Sequence, residues 1–118
     1  ASPPAARQLA GNATAYAARA IAAADRAAGA APAEEADKAA TEAEMNMAMA
    51  VKTLKEAAAA GLTGPEGDAA ATLVEQAIVV AQEARRLAKA KAAAPTSESP
   101  GAPGPDDKKL GGTGMPTP

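Results

Sequence analysis

Residues 33–60 read AEEADKAATEAEMNMAMAVKTLKEAAAA. Gly and Pro are missing from this run, and Ala, Glu, Lys, Met and Leu, all strong helix formers, supply most of it. At ~100° per residue, Ala36, Ala40, Ala43, Met47, Ala50, Leu54 and Ala57 fall on one line in alternating steps of four and three, with Val51 beside them. That is a heptad seam. A helix with such a seam needs partner helices to cover it, so the reading of this stretch sets the fold class as all-α.

The flanking sequence supplies the partners. Upstream, a helix is expected over about 3–28, opened by Ser2 as cap with Pro3 in the first turn and closed by Gly29 in a left-handed stop. Its dry stripe holds Ala6, Leu9, Ala13, Tyr16, Ala17, Ala20, Ile21 and Ala24, with Arg7, Asn12, Arg19, Asp25 and Arg26 outside it. The central helix is expected over about 32–60, with Glu34, Glu35 and Asp37 near its positive end and Gly61 as its stop. Downstream, a third helix is expected over about 65–93 with a seam of Ala70, Leu73, Ala77, Val80, Ala81, Ala84, Leu87 and Ala88, flanked by Val74 and Ile78. Gly61, Gly64 and Gly67 read as turn glycines, because the phosphate-loop pattern lacks its Lys.

Seams made mostly of alanine let helix axes approach toward the low end of the ~8–10 Å range, which predicts a slender antiparallel three-helix bundle over residues 1–94. The core is thin, with about ten large side chains expected to be buried. Residues 95–118, PTSESPGAPGPDDKKLGGTGMPTP, carry only Leu110 and Met115 as bulky apolar groups and read as an extended Pro/Gly-rich arm for fastening the bundle to a partner.

Composition closes many functions. The 118 residues include 12 basic and 14 acidic side chains, for a net charge of −2, and no Cys, His, Trp or Phe. Disulfides, zinc fingers, His-based nucleophilic catalysis and an imidazole switch are therefore excluded. Balanced charge and a single Tyr argue against nucleic acid. No apolar run approaches the roughly 20 residues of a membrane span. An enzyme would depend on carboxylates and lysines alone, so a non-enzyme without a resident cofactor is expected. The opening Ala1-Ser2-Pro3-Pro4 looks like a chain cut by signal peptidase, which predicts a periplasmic or secreted protein.

The unusual cluster is Met45-Asn46-Met47-Ala48-Met49. Met47 belongs to the seam as a gap-filling core residue. Met45 and Met49 stand ~160° from it in opposite senses, side by side on the face otherwise occupied by Lys38, Glu42, Lys52 and Glu56. An outward thioether pair admits two uses: an apolar contact with a protein partner or a second copy, or a soft site for Cu(I). Val79, set among Thr72, Glu75, Gln76, Glu83 and Arg86, is a further candidate contact, as are Leu110 and Met115 in the arm. The Lys38/Glu42 and Lys52/Glu56 pairs read as solvated i,i+4 ion pairs.

With its Ala-rich amphipathic segments Asn12–Ala28, Ala33–Ala60 and Asp68–Lys91, their EA, KA and QEA steps and their Gly-containing turns, the chain resembles the small periplasmic metal-binding proteins. The resemblance is compositional, covers about three fifths of the chain and implies a helical bundle. That family binds metal through many histidines. This chain has none, so no ligand is carried over.

Overall fold

The computed structural model describes residues 2–93, which form three α-helices: α1 (Pro4–Gly29), α2 (Ala33–Ala59) and α3 (Gly64–Ala93). They pack as an up–down–up bundle in which every helix touches the other two. The all-α expectation holds, and each helix boundary falls within one residue of its expected place. The arm and its candidate residues Leu110 and Met115 lie outside the described residues.

The core is alanine almost throughout. One cluster joins Ala23, Ala24 and Ala27 of α1 to Ala36, Ala40 and Ala43 of α2 and to Ala81, Ala84 and Ala88 of α3. A second joins Ala13, Ala17 and Ala20 to Ala50, Val74 and Ala77, and Met47 packs against both clusters. The expectation of about ten large buried side chains is corrected here, because among the described residues no large side chain is fully buried and Val74, 3% exposed, is the biggest in the core. Tyr16, Ile21, Leu54, Leu73 and Ile78 are only half-buried against it. Helices separated by methyl groups alone leave no room on the seam itself, so the larger groups lie along its edges and cover it. The expected stripes also omitted Ala10, Ala23, Ala27, Ala39 and Thr53, all of which are buried.

Both ends of α1 depart from the expected caps. Ser2 does not cap α1; Pro3 holds the cap position, with Pro4 beginning the helix. The Ser2 hydroxyl instead accepts the Thr63 amide N–H at 2.9 Å and donates to the Thr63 carbonyl at 3.2 Å, tying the chain start to the α2–α3 turn. At the opposite pole, Gly29 is still helical and Ala30 is extended (φ −73°, ψ 125°), with no left-handed stop. None is needed. Pro32 biases Ala31 away from helix, and the Lys91 ammonium donates to the carbonyls of Ala27 and Ala28 in the last turn of α1 and of Ala30 just beyond it.

The α2 terminus closes in the ordinary way. Gly61 takes φ +107°, its N–H reaches the Ala58 carbonyl at 3.1 Å, and the Leu62 N–H reaches Ala57 at 3.0 Å, the paired bonds of a Schellman cap. Gly64 is also left-handed at φ +69°, whereas Gly67, expected in the turn, lies in the first turns of α3 against Leu62.

Candidate functional site

Because α2 spends its alanine seam on α1 and α3, its opposite face is left toward solvent. Lys38, Glu42, Met45, Met49, Lys52 and Glu56 are all exposed there. Met45 is 65% exposed and Met49 39%, one helical turn apart as the sequence pattern requires. Met47 is half-buried between the two core clusters, so the outward pair presents two sulfurs and not three. Thioether flexibility suits such a pair to an irregular apolar surface.

Val79 is exposed at 63% but stands apart, in a shallow depression of about 310 Å³ formed by α3 residues alone, among them Thr72, Glu75 and Gln76. The structure therefore keeps Val79 separate from the methionine pair. A larger open groove of about 790 Å³ runs between α1 and α3, floored by Ala10, Gly11, Ala70 and Leu73 and edged by Arg7 and Glu66, whose charged groups are 4.0 Å apart. Its polar lining is the hydroxyls of Thr14 and Thr72, the Gln76 amide and the mixed charges of Arg7, Glu66 and Asp68, with no thiol, imidazole or lysine amine among them. Among the described residues, no three His, Cys, Asp or Glu side chains come together as a metal cage. No helix there is long and apolar enough to cross a membrane.

The ion pairs differ from those expected. Glu42 turns to Arg26 of α1 at 2.5 Å, not to Lys38, whose ammonium lies 3.9 Å from Glu35. Lys52 and Glu56 have no ion-pair partner within 4.0 Å among the described residues. An i,i+4 pair on an exposed helix is a weak attraction, and Arg26 offers Glu42 a cross-helix partner instead. Tyr16 is half-buried, and Arg19 stacks over its ring at 5.4 Å from the centroid.

The strongest polar cluster centres on Arg85, which the sequence analysis did not single out. Its guanidinium reaches Glu44 at 2.9 Å, Asp37 at 2.5 Å and the Thr41 hydroxyl at 2.8 Å, all on α2. Hydrogen bonds to Glu44 and then Asp37 raise its pKa further above the ordinary arginine value, so it stays cationic and serves as neither general acid nor general base. The available signal was the four-and-three spacing of Asp37, Thr41 and Glu44 on one α2 flank. Its role is to fix α3 against α2. Replacing Arg85 with Met keeps the stem and removes the fork; unfolding in urea is expected to show a loss of about 1–2 kcal/mol that shrinks at high salt. A loss independent of salt would assign the effect to packing of the stem.

Protein-family models, curated proteins and solved structures offer no match to this chain, so the reading of its function rests on its own residues.

Proposed function

We propose that the protein is a non-enzymatic structural or accessory subunit that docks through the outer face of α2. One observation carries the reading. Leu9, Ile21, Met47, Leu54, Leu73 and Leu87 are half-buried, whereas Met45 leaves 65% of its surface in water at the middle of an otherwise charged face. Apolar surface placed centrally within a polar rim is the usual anatomy of a contact patch. Two thioethers without a third soft donor make a poorer Cu(I) site than contact site, so copper binding is the second use of the same pair.

Replacing Met45 and Met49 together by Gln keeps helix propensity and removes both the apolar surface and the soft sulfur. In extract of the source cells, the wild-type full chain is expected to elute by size exclusion above its monomer position. The double variant is expected to lose at least ~tenfold in affinity and return to monomer size, given about 1.5–3 kcal/mol for each buried Met. Unchanged elution combined with lost Cu(I) uptake in a titration would transfer the pair to copper. If neither changes, the docking reading fails.

A further inference from the structure

The outer face of α2 has an internal symmetry. Lys38, Glu42, Met45, Met49, Lys52 and Glu56 recur in steps of four, three, four, three and four, a second heptad stripe on the side away from the core. The stripe is also antisymmetric in charge about position 47. Met45 and Met49 lie two residues either side of it, Glu42 and Lys52 five, and Lys38 and Glu56 nine.

We infer that the occupant of this face is a second copy of the chain, its α2 packed antiparallel to the first across a two-fold axis beside position 47. The inference rests on the docking reading above and gives it a partner. In this arrangement each Met45 meets the partner's Met49, each Glu42 meets the partner's Lys52, and each Lys38 meets the partner's Glu56. A two-fold contact requires a self-complementary patch, and this one reads the same after reversal with every charge exchanged. The alternatives are worse on the same residues. A parallel pairing in register sets Lys38 against Lys38 and Glu56 against Glu56, and a heptad slip places methionine opposite charge.

The free side chains suit this arrangement. Lys52 and Glu56 have no ion-pair partner among the described residues, and Lys38 holds Glu35 only at 3.9 Å. Glu42 is shared with Arg26, so the outer pair, Lys38 with Glu56, gives the cleaner test.

The full chain is followed by sedimentation from about 10 µM to about 1 mM at low salt, a span that covers weak dimers. The wild type is expected to form a dimer that dissociates as salt rises. Lys38→Glu creates two like-charge contacts with Glu56 across the axis, and Glu56→Lys creates two with Lys38; each alone should weaken association by about tenfold. Mixing the two variants restores opposite charges at both contacts and should return association to the wild-type level. Helical circular dichroism checks that each variant is folded.

A dimer indifferent to these substitutions, or one that mixing fails to restore, overturns the antiparallel register. A wild type that stays monomeric throughout overturns the second copy as occupant. The docking reading would survive that result if the chain still elutes as a larger species from extract and the Met45/Met49 variant does not.

Discussion

Ala43→Leu and Ala77→Leu are each expected to lower stability by about 1–3 kcal/mol through overpacking. Both alanines are fully buried, Ala43 in the cluster with Ala40, Ala81 and Ala84, and Ala77 in the cluster with Ala17, Ala20 and Val74. Three helices held apart by methyl groups can admit an isobutyl group only by moving an axis, and an axis shift opens contacts along the whole seam. The same substitution at Ala59 or Ala90, both exposed, should change stability by no more than ~0.5 kcal/mol. Melting temperatures of the four variants check the ordering. Equal tolerance at all four positions would contradict the helical phases, and with them the outward placement of Met45 and Met49.

Gly61→Ala is the second large effect, at about 1–3 kcal/mol, and it has two causes acting at one atom. The φ of +107° lies where side chains are strongly disfavoured, and a Cβ would stand 3.2 Å from both Cγ and Cδ of Pro3. The proline ring is rigid and sits at the start of α1, so relief would require the first turn of that helix to move. Gly64→Ala serves as the comparison, since φ +69° is a milder strain and nothing lies within 4 Å of its Cβ. Denaturant midpoints should place Gly61→Ala clearly below Gly64→Ala. The reverse order would mean that contact with Pro3 is not what constrains this turn.

The helices were legible because the local signals agree. Ala-rich runs punctuated by Gly29, Pro32, Gly61 and Pro65 leave few ways to draw the boundaries, and heptad spacing gives the buried alanines of α2 except Ala39. The outward position of Met45, Met49 and Val79 follows from the same periodicity. What the sequence hid depends on which helices become neighbours. Ser2 looks like a cap until Thr63, sixty-one residues away, is placed beside it. Gly29 looks like a stop until Lys91 arrives from α3 to bind carbonyls of the last turn of α1. Arg85 looks like any surface arginine until α2 presents three partners together. Local pairing rules also misassigned Glu42, because Arg26 across the hairpin outcompetes Lys38 on the same helix.

A core of methyl groups has a consequence for how the fold responds to heat. Each buried alanine removes little apolar surface from water, and exposure of apolar surface is what gives unfolding its large heat capacity. The heat-capacity change per residue is therefore small. The curve of stability against temperature is correspondingly flat, so the bundle gives up little on cooling. Alanine also brings no rotamer entropy to be frozen, so its packing draws little extra entropic opposition as temperature rises.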